Sequence, residues 1–316
     1  MTSIIAAAEV GTASASLPDG LRLEIGFVPI DGARLFVACW SPSGAPRAQV
    51  VFVPAFGDEA PQMRRSMRLA AEVMARAGIR AWIHDFYGTG DSEGEHADAT
   101  VERWERGVEA MVAHVRADRG ARPGTALDAV TEPAADLPVV LLGCRLGAAI
   151  ALRAATRVEA AGVVCWAPVL EGRMQLSALT RVAAVAASAA GRPAPDHKAA
   201  WARGETRTLA GYDIGSAMAA GLQALAVDAA PACPVALLDV RPLEEPVGAS
   251  MPAGPAAPAM PSPSPAVQRA AERLQADGGK VWVSMVPGAP FWNVADHVDV
   301  PALPQATLAA LEELLK

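Results

Sequence analysis

The run Val139-Val140-Leu141-Leu142 leads straight into Gly143-Cys144-Arg145-Leu146-Gly147, and an alanine-rich stretch follows. A continuous apolar run of this kind suits a strand buried on both faces. Glycines flanking a three-residue centre let the backbone turn sharply and approach its neighbours with no Cβ in the way. The order strand, tight elbow, helix therefore predicts a strand over 138–142 and a helix over 146–157, with Arg145 at the apex of the turn. The apex of a Gly-x-Nu-x-Gly elbow is where a sheet edge displays a nucleophile. A guanidinium cannot attack a carbonyl, so this elbow announces an architecture and leaves its chemistry open.

The rest of the chain fits one alternating architecture. Residues 21–54 hold three β-rich runs, with Asp31-Gly32 as a hairpin signal between the first two, and they are read as the antiparallel start of a sheet. Helix 63–77, strand 79–85, helix 99–117, strand 138–142, helix 146–157 and strand 161–166 then alternate, which predicts a mostly parallel central sheet flanked by helices. Met67, Ala70, Met74 and Ala77 recur at helical spacing before Gly78, a natural stop. A segment at about 170–230 is too long for an ordinary connection and is read as a helical lid insertion. After strand 235–240, the Pro/Ala-rich stretch 242–265 reads as a flexible loop. Helix 266–275, strand 280–286 and helix 303–315 close a single domain over 1–316.

The glycine-punctuated loop Asp85-Phe86-Tyr87-Gly88-Thr89-Gly90-Asp91-Ser92 follows a buried strand, where open α/β sheets place ligand-binding loops. Together with the elbow it predicts an α/β-hydrolase fold. Ser92 is read as a hydroxyl that caps this loop.

Composition narrows the partners. A net charge of -7 disfavours nucleic acid, which calls for a basic face. Cys39, Cys144, Cys165 and Cys233 are too dispersed for a disulfide framework or a zinc site, and His84, His96, His114 and His197 show no metal-ligand spacing. No cofactor or metal is expected. The N-terminus lacks a positively charged leader and no run is long enough to span a membrane, so a cytoplasmic location is expected.

Several residues are candidates for the chemistry. The backbone N–H groups of Phe56, Gly57 and Leu146 occupy the places from which an oxyanion hole is built. Glu244 and Glu245 follow the 235–240 strand near the position of a catalytic acid, with Asp239 at the strand end. Phe291 stands in the slot expected of a histidine base, and His297 lies six residues further on. Cys144 is a thiol alternative for the nucleophile, although it precedes the apex and should point away from it. Arg145 at a helix start could instead hold an anion, with Arg64, Arg65 and Arg68 adding charge.

On Pro54-Ala55-Phe56-Gly57-Asp58-Glu59 with Arg64-Arg65, Gly88-Thr89-Gly90-Asp91-Ser92, the Gly-x-Arg-x-Gly elbow, Gly211-Tyr212-Asp213-Ile214 and Pro290-Phe291-Trp292, the chain resembles the exosortase A system-associated hydrolase 2 family. The resemblance implies a cytoplasmic α/β-hydrolase-like protein tied to bacterial exopolysaccharide and protein-sorting machinery, with protein partners from that system. Two functions are compatible with these residues. One is hydrolysis or acyl transfer on an ester or thioester, using Cys144 or a water activated by Glu244 or His297. The other is binding, without catalysis, of a small acyl or anionic ligand at Arg145.

Overall fold

The computed structural model describes residues 13–117, 137–243, 262–294 and 298–316. The chain opens with β1 (Ala13–Ser16), β2 (Arg22–Ile30) and β3 (Ala33–Ser41), which pair antiparallel in succession. The turn between β2 and β3 is made by Asp31 and Gly32, both at positive φ (49° and 76°), the conformation a tight two-residue hairpin demands. β4 (Ala48–Val53) then leads to α1 (Glu59–Arg76), β5 (Ile79–His84), α2 (Val101–Ala117), β6 (Val139–Cys144), α3 (Gly147–Ala155) and β7 (Gly162–Trp166). An insertion follows: α4 (Gly172–Ala189), α5 (His197–Ala202), the hairpin β8 (Arg207–Leu209) and β9 (Tyr212–Ile214), and α6 (Ser216–Ala224). The chain ends with β10 (Val235–Arg241), α7 (Pro265–Ala276), β11 (Val281–Pro287) and α8 (Ala302–Leu314).

Among the described residues the main sheet has the order β1-β2-β3-β5-β4-β6-β7-β10-β11, and every pairing from β5 to β11 is parallel. This corrects one expectation. β4 does not extend the antiparallel start; it pairs in parallel with both β5 and β6. All of its residues are buried, so the free-energy gain of covering both faces puts it in the middle of the sheet rather than beside β3.

Two apolar layers enclose the sheet. α1 and α8 cover one face through Met63, Met67, Met74 and Leu311, and α2, α3 and α7 cover the other through Trp104, Met111, Ile150 and Leu274. Trp166 of β7 donates its indole N–H to Thr307 of α8 at 3.0 Å, so the one polar atom of this large buried ring is satisfied. The insertion is not purely helical: the β8–β9 hairpin within it has no counterpart in the sequence reading. Of the 242–265 stretch, residues 244–261 lie outside the described residues, and α7 begins at Pro265, capped by Ser264. Among the described residues no helix is long and apolar enough to cross a membrane.

The elbow depends on close backbone contact. A Cβ at Gly147 would lie 2.3 Å from the carbonyl oxygens of both Val53 and Pro54, and one at Gly143 would lie 2.4 Å from Ala148 Cα. Gly147→Ala should therefore cost about 2 kcal/mol or more, in the range of core overpacking. Urea denaturation followed by circular dichroism checks this, and a loss under about 0.5 kcal/mol, within the range of neutral surface changes, would mean that α3 does not press on β4 as described.

Candidate functional site

At the carboxyl edge of the sheet the chain leaves β6 through Arg145, whose φ of 54° is left-handed. A non-glycine residue in that region carries roughly 1–3 kcal/mol of strain. The neighbours hold it there: the Arg145 N–H donates to Trp166 O (3.0 Å), and its carbonyl accepts from Ala148 N (3.0 Å) and Val169 N (3.1 Å). The apex therefore has the conformation of a nucleophile elbow and carries a guanidinium.

That guanidinium is already engaged. Its Nε donates to Glu59 Oε1 at 3.0 Å, Nη1 donates to Ala167 O at 2.7 Å, and Cζ lies 4.6 Å from the centroid of the Trp292 ring. The Arg145 and Glu59 side chains are only 17% and 12% exposed, so the pair is largely desolvated. Burial raises the Glu59 pKa, and Arg145 opposes the rise by charge and hydrogen bond. Glu59 Oε2 is buried without a hydrogen-bond partner.

The loop after β4 lies next to the elbow. Gly57 has a φ of 60°, and a Cβ there would meet the Tyr212 ring at 3.5 Å. Tyr212 comes from the hairpin of the insertion and donates its hydroxyl to Asp58 Oδ1 at 2.9 Å. Partial burial, with Asp58 alongside, pushes its phenol up to about 12. Phe56 is buried against Trp104, with ring centroids 5.5 Å apart. The N–H groups of Phe56, Gly57 and Leu146 take no part in the internal hydrogen bonds of the described residues. Unengaged amides on the loop after β4 and just past the elbow apex are the raw material of an oxyanion hole.

The remaining candidates divide cleanly. Cys144 ends β6 with its side chain in the apolar layer beneath α1, at 0% exposure, and burial pushes its thiol well above the usual range with Cys165 adding to the rise. It cannot present a thiolate to a substrate, which corrects the thiol alternative. Phe291 is buried in the same layer, and Trp292, not Phe291, faces Arg145. Glu244, Glu245 and His297 lie outside the described residues. Asp239 is buried at the end of β10 and accepts the Ser264 N–H at 2.6 Å.

Ser92 accepts from Phe36 N (2.9 Å) and donates to Asp85 O (2.8 Å), bracing its loop as expected of a capping hydroxyl. Asp85, held above the usual carboxylate range by burial, accepts from Asp91 N and from Arg64. Arg65 pairs with Asp299 at 2.7 Å and Arg68 with Glu72, so none of these three arginines adds free charge beside Arg145. His84 is fully buried, and desolvation with Arg64 nearby lowers its pKa to about 4. Among the described residues no cluster of histidine, cysteine and carboxylate could hold a metal.

A cavity of about 840 Å3 opens beside Arg145. Val169, Leu170 and Met174, at the start of the insertion, give it apolar lining together with Trp292, and its charged lining is mixed, with Arg241 and Arg269 beside Glu171, Asp239 and Glu272. Glu59, Trp292, Arg241 and Arg269 were not among the residues singled out for a role from sequence. A clue to Glu59 existed, because an arginine at a buried apex requires a counterion.

The sequence profile of the Hydrolase_4 family, described as serine aminopeptidase S33, matches residues 44–214, more than half of the chain, which therefore belongs to that family. Monoglyceride lipase of Rattus norvegicus is 26% identical over 159 residues, and that match spans 50% of this chain and 46% of the lipase. Solved structures with the same fold include a hydrolase from Agrobacterium vitis S4 (17% identity, TM-score 0.58, covering 93% of this chain and 99% of that one). Monoglyceride lipase from Saccharomyces cerevisiae is another (14% identity, TM-score 0.55, covering 93% and 94%). The family match and these structures agree on one fold, that of the α/β-hydrolases.

The raised Glu59 pKa has a measurable consequence. The native state binds this proton more tightly than the unfolded chain does, so the carboxyl's contribution to stability is complete below pH 4.5 and fades as pH climbs through the native pKa. Glu59→Gln removes that titration. Its unfolding free energy minus that of wild type should rise with pH above 4.5 in a series of urea titrations; a difference that falls across the same window would mean that Arg145, not burial, dominates the carboxyl.

Proposed function

We propose that this α/β-hydrolase serves a bacterial exosortase and exopolysaccharide system as a ligand-binding member of its family, taking an anion with an acyl or other apolar body into the cavity beside Arg145. The apex arginine carries this conclusion: the position that would display a nucleophile holds a guanidinium locked to Glu59 and Ala167 and stacked on Trp292. The cavity offers an amphiphilic anion the apolar side chains of Val169, Leu170 and Met174 and the guanidinium groups of Arg241 and Arg269, with Glu171, Asp239 and Glu272 also in its lining. The insertion acts as a lid through Tyr212, and the protein works in the cytoplasm beside partners from the same system.

One observation favours a hydrolytic alternative. The Phe56 and Leu146 amides are unengaged, so an oxyanion could still be stabilised there. With Cys144 buried, attack on an ester or thioester would fall to a water activated by Glu244 or His297.

Two measurements decide between them. Purified wild type should show no turnover of short and long acyl esters or acyl thioesters above the blank. Turnover that disappears in Glu244→Gln or His297→Ala would establish the hydrolase and overturn the binder. In calorimetry, dodecyl phosphate should bind wild type and lose about tenfold or more in affinity in Arg145→Ala and in Arg241→Ala, the loss expected of a charge-assisted hydrogen bond. Arg241 lies outside the Glu59 pair, so its effect does not depend on that buried contact surviving.

A further inference from the structure

The insertion contains a second cavity, of about 510 Å3, that shares no lining residue with the one beside Arg145. It lies between the C-terminal half of α4, the segment that leads into α5, and the β8–β9 hairpin. Ala183, Ala186 and Ala187 on α4 leave the space open because their side chains are short. The opposite side is polar and carries Arg192, His197, Arg207 and Thr208, and no acidic residue lines it among the described residues.

His197 is the informative member. It is 8% exposed, and both of its ring nitrogens are shut off from solvent without a hydrogen-bond partner. Its ring neighbour is Trp201, at 5.8 Å between centroids, which offers no acceptor. Buried polar groups without partners are rare in folded chains, and each asks for a water, an ion or a ligand. Burial together with the nearby Arg207 lowers its pKa, with Asp196 opposing, so at neutral pH the imidazole is uncharged and keeps one N–H to donate.

The acids close by are committed elsewhere. Asp196 caps α5 by accepting from Ala199 N at 3.0 Å, and Asp213 accepts from Thr208 Oγ1 at 2.6 Å. Glu205 sits 2.6 Å from Arg203 but 3.9 Å from Arg207, so its charge goes mainly to Arg203. No ion pair to Arg192 occurs among the described residues. Two guanidinium groups and an orphaned imidazole thus line one cavity, while Asp196, Asp213 and the Glu205 that Arg207 shares with Arg203 lie outside its lining.

We propose that this cavity binds the phosphate or sulfate head of a small monoester, with Arg192 and Arg207 matching its charge and His197 donating a ring N–H to an oxygen. Guanidinium forks suit tetrahedral oxyanions, which take two parallel N–H bonds from each. The volume exceeds that of a bare oxyanion and leaves room for the body of an ester.

Titration calorimetry on the full chain, with chloride holding ionic strength constant, tests the site using inorganic phosphate, inorganic sulfate, glucose 1-phosphate and dibutyryl phosphatidic acid. One saturable site per chain is expected, weakened about tenfold or more in Arg207→Gln, in Arg192→Gln and in His197→Ala. Arg192 is exposed, so its substitution keeps the test valid if the His197 variant fails to fold. Tighter binding of glucose 1-phosphate assigns a soluble sugar phosphate, and tighter binding of the phosphatidic acid assigns a lipid head; either supports the site. No binding by any probe, binding equal in wild type and all three variants, or loss in Arg241→Gln instead would overturn it, the last by assigning the anion to the other cavity.

Discussion

At Gly147 the start of α3 lies against the carbonyls of Val53 and Pro54, at a distance no side chain would permit. That contact draws the loop after β4 up to the elbow. It brings Glu59, at the first turn of α1, within hydrogen-bond reach of Arg145, at the end of β6. The glycine is thus the condition for an ion pair between residues far apart in sequence. Space at the backbone comes first, and the electrostatics of the site follow from it.

The ion pair accounts for much of what surrounds it. A guanidinium that is largely out of water needs a counterion, hydrogen-bond acceptors and a surface for its flat face, and Glu59, Ala167 and Trp292 supply one each. Lysine could not replace it, because a single ammonium cannot serve two acceptors set apart while lying flat on an indole. Ala167 is itself at a positive φ of 42°, with its N–H bonded to Leu238 O, so even the acceptor carbonyl is held in an uncommon conformation. For the carboxylate the arrangement is costly, because desolvation outweighs Arg145 in setting the Glu59 pKa.

The insertion shapes both cavities. Its first helix supplies apolar wall to the one beside Arg145, while its hairpin seats Tyr212 over Gly57 and turns Arg207 toward the other. Because the hairpin is only two short strands, its placement rests on contacts such as the Tyr212–Asp58 hydrogen bond and the bond from His96 to Asp213 O. A loop brace such as Ser92, by contrast, is local: its hydroxyl answers a backbone need a few residues away and a second on the adjoining strand.

The sequence alone determined the fold class, the position of the elbow, the Asp31-Gly32 turn and the helical spacing of α1, because each depends on short-range chemistry: glycine freedom, apolar runs and residue periodicity. It also showed that the apex could not be a nucleophile. It misplaced β4, because strand order depends on which faces a fold covers rather than on the strand's own residues. It did not show that Trp292 would lie against Arg145, since which of two neighbouring aromatic residues meets a given side chain is set by how the loop packs. Cys144 could be excluded only once its burial was known. Tertiary structure alone decided that Glu59 meets Arg145, that Arg64, Arg65 and Arg68 are spent on acids elsewhere, and that His197 lacks a partner, because pairing and desolvation are set by what the folded chain brings close.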